Sequence, residues 1–378
     1  MYLQALITLA AFLVTLGVLV SFHEFGHFLA ARLCGVRVLR FAVGFGKPLF
    51  TYVAKNKTEW VIASIPLGGY VKLLDGRDRE QKIASVDAPE AFDYKPLWQR
   101  SVIVAAGPFA NFFLAIILFA VIYISGAPQL PAILKAPPEN SVAAKLGVFE
   151  GDRVIAWQSL PNPDSAAISG EFEPVISWNA LRWTLLDALT GEHGFALEIQ
   201  DPSGSRYVKT FLTKDLPQLS PEIDPMLALG VLPKPVPLAD WTELKLGPLE
   251  AVSFATERAW LITKVSVRLM TGILTGTASI KQLGGPLSIA DMAGKSAQVG
   301  WQPFFAFLAL MSISIGLLNL LPFPMLDGGQ LLYDAWELVA GKRLSISVQE
   351  QLQKVGFLVL ISLSLLALFN DLQRYFSP

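Results

Sequence analysis

The stretch Ser21-Phe22-His23-Glu24-Phe25-Gly26-His27 lies near the end of the first apolar run of the chain. On an α-helix, His23 and His27 are four residues apart and share one face, so both imidazoles can reach the same metal ion. Two of the chain's 3 histidines are found here. Because ionisable residues within an apolar segment are candidates for function, we favour a metal site over a chance coincidence of residue types.

Glu24 follows the first histidine, so its carboxylate could act on a water molecule bound to a zinc ion. Zinc lowers the pKa of a bound water, and a neighbouring carboxylate can take the proton from that water and pass it to a leaving amine. The stretch therefore predicts a zinc hydrolase in which Glu24 is the general base. Two histidines alone still lack a third protein ligand.

The composition is that of a membrane protein. The chain has 378 residues, of which 53% are hydrophobic and only 16% are charged, and its mean hydropathy is +0.48. A net charge of -1 without a basic block argues against nucleic acid as a partner. The single cysteine, Cys34, excludes an internal disulfide and a Cys-rich zinc site.

We predict a polytopic α-helical membrane protein with four transmembrane helices. An apolar but charge-interrupted segment, Leu249 to Thr275, could be a fifth span or an amphipathic helix at the surface. With four spans Asp327 reaches the membrane face that holds His27, whereas a fifth span would place it on the opposite face. We therefore keep four spans, at residues 1–33, 101–125, 301–328 and 355–372.

The connection at residues 34–100 is rich in Lys and Arg, which predicts a cytoplasmic location and an N-terminus on the outside. Within it, residues 36–50 and 59–73 alternate in polarity and are punctuated by glycine and proline, a pattern typical of β-hairpins. Such a hairpin could be a cytoplasmic feature without a role in the chemistry. It could equally hold an extended substrate at a sheet edge by strand addition.

Residues 126–240 differ in kind, with short strand patterns and mixed charge, and they predict one globular domain. Residues 140–155 together with 229–231 resemble a PDZ domain in the bacterial, circularly permuted order. Pro161 to Pro174 is interpreted as an inserted loop, and His193 as an exposed turn residue. We expect an amphipathic helix and connector at 241–300 and a cytoplasmic loop at 329–354.

A second stretch that carries chemistry runs from Asn319 to Gly329 and contains Pro322, Pro324 and Asp327. The two prolines cannot continue a helix, so the third span must unwind there. Asp327 could then supply the missing oxygen ligand, and Asn319 could hydrogen-bond the substrate backbone or a developing oxyanion. Alternatively, the Asp-Gly pair is only a turn that follows a helix.

Taken together, the two motifs resemble those of the site-2 protease family of intramembrane zinc metalloproteases, in its regulator-of-sigma-E protease branch. The resemblance extends to Gly44-Phe45-Gly46 and to Gly107-Pro108 with Asn111. It implies one Zn²⁺ per chain and a β-structure that re-enters the membrane. In this reading the zinc ligands are His23, His27 and Asp327, the base is Glu24, and the substrate contacts are Asn319, Gly44, Phe45 and Gly46.

The same resemblance implies cleavage of single-span transmembrane proteins, such as an anti-sigma factor, or of remnant signal peptides. It places the chain among the lipids of a bacterial inner membrane, with the PDZ domain and both termini periplasmic and the active site near the cytoplasmic side. One departure is that the sequence has room for one PDZ domain, whereas well-known enterobacterial relatives carry two.

Two other classes of function stay open from the residues alone. A non-catalytic membrane adaptor could bind extended peptides through the PDZ domain, but it would not need His23, Glu24, His27 and Asp327 together. A metal transporter would need a path of several ionisable sites across the membrane, and only one cluster is visible in the sequence.

Overall fold

The computed structural model describes residues 2–77, 87–160, 171–217, 224–275 and 285–376. Ten α-helices and eight strands are assigned within these ranges. In chain order they are α1 (Tyr2–Leu33), β1 (Val38–Val53), β2 (Glu59–Leu73), α2 (Leu97–Ser125), β3 (Ala127–Gln129), α3 (Val142–Lys145), β4 (Arg153–Ser159), β5 (Glu173–Pro174), α4 (Trp178–Thr190), β6 (Phe195–Gln200), β7 (Arg206–Phe211), α5 (Pro225–Leu229), β8 (Thr242–Leu244), α6 (Pro248–Thr275), α7 (Pro286–Val299), α8 (Trp301–Leu320), α9 (Asp327–Ala340) and α10 (Ile346–Phe376).

Four of the described helices, α1, α2, α8 and α10, are long and apolar enough to cross a bilayer, as predicted. Helix α6 is long as well, but it is not among them. The boundaries differ from the prediction at α10, which begins at Ile346 rather than at 355. They also differ at α8, which ends at Leu320, so that residues 321–328 are not part of the third span.

The chain divides into two compact units, Met1–Phe119 with Gly284–Pro378, and Ala120–Leu283. In the first unit α1 packs on α7 and on β2. The contact with α7 is close, since a Cβ on Gly294 would lie 2.2 Å from Thr8 Oγ1. Helices α7 and α9 fall within segments that the sequence led us to describe only as a connector and a loop.

Strands β1 and β2 form the predicted hairpin in the 34–100 segment, as a two-stranded antiparallel sheet with several register shifts. Val61 and Ala63 are buried, whereas Ile62 and Ser64 are exposed. This alternation is what a strand with one covered face requires. The pairing extends β1 to Val53, beyond the predicted end at residue 50.

The second unit contains a four-stranded antiparallel sheet in the order β5-β4-β6-β7, with a core of aromatic and aliphatic side chains between the sheet and α4. The strands predicted near residues 153, 195 and 207 are all present. Helix α6 is joined to α4 by Asp187, whose carboxylate accepts hydrogen bonds from Lys264 (2.6 Å) and Arg268 (2.7 Å). His193 is exposed, as expected.

One predicted feature of this unit is described only in part. Of the inserted loop at Pro161 to Pro174, residues 161–170 lie outside the described residues. Its last two residues form β5, which pairs with β4.

The end of α10 is attached to the start of α7 by one buried carboxylate. Asp371 accepts hydrogen bonds from the backbone N–H groups of Gly285 (3.0 Å), Leu287 (2.9 Å) and Ser288 (3.0 Å). These are among the N–H groups that a helix start leaves without partners in its own helix, so Asp371 acts as a cap supplied by another helix.

We expect Asp371→Ala to lower the free energy of unfolding by about 1–3 kcal/mol, because buried N–H groups lose their acceptor. The measurement is denaturation of the purified protein in detergent. The control is Asp291→Ala, which removes an exposed carboxylate whose ion pair, among the described residues, is with the exposed Lys295. Equal stability of the two variants would contradict the capping role.

Candidate metal centre

Three potential metal ligands from two distant parts of the chain converge in the first unit. His23 and His27 lie on one face of α1, and Asp327 is the first residue of α9. The two Nε2 atoms are 3.2 Å apart, and Asp327 Oδ2 lies 3.1 Å from His23 Nε2 and 3.4 Å from His27 Nε2. Within the described part of the chain, no other cluster of three His, Cys, Asp or Glu side chains is arranged to hold a metal ion.

The spacing of these atoms suits a tetrahedral zinc site. Zinc–ligand bonds of roughly 2.0–2.1 Å place neighbouring ligand atoms about 3.3 Å apart in a tetrahedron. Two imidazole nitrogens and one carboxylate oxygen are also a donor set that zinc accepts, with a fourth position left for water or substrate. The residues therefore fit the ion by distance and by chemistry.

Asp327 reaches the histidines because the chain breaks after α8. The segment around Pro322 and Pro324 makes tight turns, with Phe323 N–H donating to Leu321 O at 2.6 Å. Glycine is needed after the aspartate, because a Cβ on Gly328 would lie 2.1 Å from Leu321 O. Burial raises the pKa of the Asp327 carboxyl, but the two neighbouring imidazoles lower it more, and the pKa falls to about 2.

Helix α2 supports both histidines, a role that sequence reasoning missed. His27 Nδ1 lies 2.9 Å from the backbone oxygen of Ile103, so Nδ1 carries the proton and Nε2 is left as the ligand atom. One helical turn further along α2, a Cβ on Gly107 would lie 2.2 Å from His27 Nε2 and 2.9 Å from His23 Cε1. The available signal was Gly107 with Pro108 and Asn111: these residues permit close helix contact, but they are equally compatible with a tolerated break near a helix start.

Glu24 lies where the hairpin passes closest to α1. An added Cβ on Gly69, in β2, would be 3.4 Å from Glu24 Cγ and 3.3 Å from Val20 Cγ1. The absence of a side chain at Gly69 therefore lets the strand backbone approach the carboxylate next to the first histidine. The site combines a metal-binding group, a carboxylate and a sheet within one region of the first unit.

The remaining predicted site residues are not brought against the metal group by any described contact. Asn319 is half-buried in the last turn of α8. Gly44 and Gly46 both have φ of +89°, and Phe45 between them stacks on Tyr70 with ring centroids 6.2 Å apart. The described contacts of these three residues lie within the hairpin.

Comparison with known sequences assigns this arrangement to a family. The profile of peptidase family M50 matches residues 11–363, which is most of the chain. The chain belongs to this family. Relatives that match over nearly their whole length include a Ralstonia nicotianae protein named as a zinc metalloprotease (34% identical; 98% of this chain and 99% of the relative). The regulator of sigma-E protease RseP of Escherichia coli is 33% identical, over 97% of this chain and 98% of the relative.

The family and its relatives establish the class of enzyme and its cofactor. The protein is a zinc metalloprotease of the site-2 type, and its cofactor is Zn²⁺. This assignment replaces the two alternatives that the sequence left open, a non-catalytic adaptor and a metal transporter. The alignment with the Ralstonia relative runs over 468 positions, whereas the chain has 378 residues, so the relative contains additional residues without a counterpart here.

We expect Gly107→Ala to reduce zinc content and proteolytic turnover by more than tenfold, since a methyl group would overlap the His27 ring. Zinc per chain is measured after purification, together with cleavage of a single-span substrate. The matched control is Gly17→Ala in α1, where an added Cβ would meet no atom within 4 Å. If Gly107→Ala keeps full zinc content, the close approach of α2 to the histidines is not required.

Proposed function

We propose that the protein is an intramembrane endopeptidase that cleaves the transmembrane segments of single-span membrane proteins. Its zinc would be held by His23 Nε2, His27 Nε2 and Asp327 Oδ2. One observation carries this proposal: these three atoms lie within 3.1–3.4 Å of one another. Both histidines and Glu24 belong to α1, a helix apolar enough to span a bilayer.

When bound, zinc supplies a water that is acidic near neutral pH and polarises the scissile carbonyl. Glu24 accepts a proton at its carboxylate and returns it to the leaving amine, since it is the one carboxylate adjacent in sequence to a zinc ligand. Asn319, at the end of α8, donates a hydrogen bond from its amide to the substrate backbone. His27 keeps its orientation through Ile103 O.

The hairpin serves as the substrate-binding strand pair in this proposal. A transmembrane helix hides its carbonyls in its own hydrogen bonds, so it must unwind before it can be cleaved. In the described residues β1 and β2 pair only with each other. Residues 40–43 of β1 pair with residues 69–72 on one side and with residues 59–62 on the other, so the sheet edges without a strand partner lie at residues 50–53 and 69–72. An unwound substrate that adds to an edge replaces its lost hydrogen bonds, and Gly44, Phe45 and Gly46 lie along one of these strands.

The location and the substrate class follow from the relatives. Relatives that carry the name regulator of sigma-E protease match over nearly the whole chain. This similarity supports a location in the bacterial inner membrane. It also supports an anti-sigma factor or remnant signal peptides as substrates. The positive loop at 34–100 favours an active site near the cytoplasmic side. Both termini and the globular segment at 126–240 would then be periplasmic.

A PDZ identity for that globular segment is supported by its four-stranded sheet, its covering helix α4 and a glycine in the left-handed conformation, Gly230 with φ of +83°. A Cβ at Gly230 would lie 2.2 Å from Ser141 Oγ, so the two ends of the segment pack closely. With a single such domain, this protein would control substrate access with less extramembrane structure than its longer relatives.

The first test compares the wild type with Glu24→Gln and Asp327→Ala on a single-span substrate in detergent, with zinc quantified in each. We expect Glu24→Gln to keep one zinc per chain and to lose about 10²–10⁴-fold in turnover, the usual contribution of a general base. Asp327→Ala should lose zinc as well as activity. Zinc retained at wild-type affinity in Asp327→Ala would refute the proposed ligand set.

Strand capture is tested separately at Ser64, an exposed residue of β2. Ser64→Pro removes a backbone N–H, whereas Ser64→Ala, the matched control, removes only the hydroxyl. We expect the proline variant to lose at least tenfold in turnover with zinc content unchanged, and the alanine variant to behave as wild type. If Ser64→Pro and proline substitutions at neighbouring strand positions all leave turnover intact, the hairpin does not bind the substrate as a strand.

A further inference from the structure

One side of α2 contacts the two histidines of the metal group and also α9, the helix that begins with Asp327. Arg100, Ile103 and Gly107 are three and four residues apart, so they lie on the same side of the helix. Ile103 O contacts His27, and Gly107 lies against both histidine rings. Arg100, in the first turn of the same helix, is 2% exposed and contacts α9.

The contact of Arg100 with α9 is a buried ionic network. Arg100 Nη2 donates to Glu337 Oε2 at 2.7 Å, and Arg100 Nη1 lies 3.8 Å from Asp334 Oδ1. The adjacent Ser101 Oγ donates to Asp334 Oδ2 at 2.8 Å. From α9 itself, Gln330 Nε2 donates to Asp334 Oδ1 at 3.2 Å. Asp334 is 3% exposed, so the first turn of α2 and the middle of α9 are joined away from water.

Asp334 shares a face of α9 with Asp327, which it follows by seven positions, close to two helical turns. Glu337, three positions further along, lies on the adjoining side of the helix. A rigid helix transmits both its rotation and its translation along this distance. A displacement at Glu337 therefore moves Asp327 Oδ2 relative to the two Nε2 atoms.

We propose that Arg100 is a positioning residue of the metal centre: it fixes the rotation and height of α9 on α2, and so places Asp327 against His23 and His27. The inference rests on the proposed ligand set. The same side of α2 also orients His27 through Ile103 O. One helix therefore positions two metal ligands, His27 and Asp327, that are about 300 positions apart in the chain.

The charges agree with this role. Burial raises the pKa of Glu337, but hydrogen bonds from Arg100 and Arg343 lower it more, so the carboxylate stays ionised. Removal of Arg100 would leave Asp334 with its hydrogen bonds from Ser101 and Gln330 but without the adjacent guanidinium, and a buried charge of this kind favours a movement of α9 towards water. Such a movement would displace Asp327.

The test uses the full-length protein in detergent and three variants. Arg100→Met removes the cation, Arg100→Lys keeps the charge but loses the forked donor, and Glu337→Gln keeps a hydrogen-bonding side chain without charge. Arg37→Met is the matched control, because Arg37 forms an ion pair with Asp87 and Glu90 near the surface of the same unit. The readouts are Zn²⁺ affinity by competition with a chelator, the visible absorption spectrum of the Co²⁺-loaded protein, and thermal stability.

We expect Arg100→Met to weaken Zn²⁺ binding by about 10–100-fold, the usual effect of removing a group that orients a metal ligand, and to change the Co²⁺ spectrum. Arg100→Lys should recover most of the wild-type spectrum, and Arg37→Met should match the wild type. A purely structural role would lower thermal stability while leaving Zn²⁺ affinity within twofold and the Co²⁺ spectrum unchanged, and that result would overturn the proposal.

Two further arms keep the outcome decisive. If Arg100→Met does not fold, Glu337→Gln decides: a several-fold loss of Zn²⁺ affinity supports the positioning role, and wild-type affinity overturns it. His23→Ala tests the ligand set independently. Undiminished Zn²⁺ binding by His23→Ala would refute the proposed function itself, whereas loss of binding there with wild-type affinity in Arg100→Met and Glu337→Gln would refute only the role of Arg100.

Discussion

The first unit is organised by the need to bring three electron-rich atoms within 3.1–3.4 Å of one another in a poorly solvated place. Such atoms do not converge by themselves, because burying polar groups without partners is costly and their lone pairs repel. A divalent cation makes this convergence favourable because it attracts all three atoms, provided that the fold already positions the ligands around it. The helix break before α9, the glycines after Asp327 and the close contact with α2 all serve this convergence.

The close contact depends on small residues on both helices. A Cβ on Gly26, between the two histidines, would lie 2.2 Å from Ala106 O, and a Cβ on Gly107 would overlap His27. Without side chains at these positions, the α1 and α2 backbones approach until the imidazoles lie directly on α2. In a bilayer, where the hydrophobic effect does not press helices together, such close packing is itself a principal source of association.

The parts of this arrangement that could be predicted from sequence are those with a local signal. Helical spacing predicts that His23 and His27 share a face, and alternation predicts β1 and β2. The approach of Asp327 to the histidines has no such local signal, because it is the premise by which four spans are preferred to five. No local signal joins Arg100 to Glu337, which are 237 positions apart, and their network became visible only in three dimensions. The sequence predicts a loop at residues 329–354, where most of α9 lies, because the glycine-rich start suggests a turn. In the structure those glycines permit the helix to begin against the preceding backbone.

The position of the hairpin links substrate binding to the chemistry by a backbone argument. In a membrane, each peptide group of an unwound helix costs several kcal/mol unless it finds another partner, so unwinding and capture must occur together. A sheet edge provides partners at every second residue along its length. β2 approaches Glu24 at Gly69. A substrate strand that pairs with this sheet would therefore have its successive backbone carbonyls at fixed positions close to the proposed base. The same backbone hydrogen bonds that compensate for unwinding would then fix which peptide bond faces the metal group.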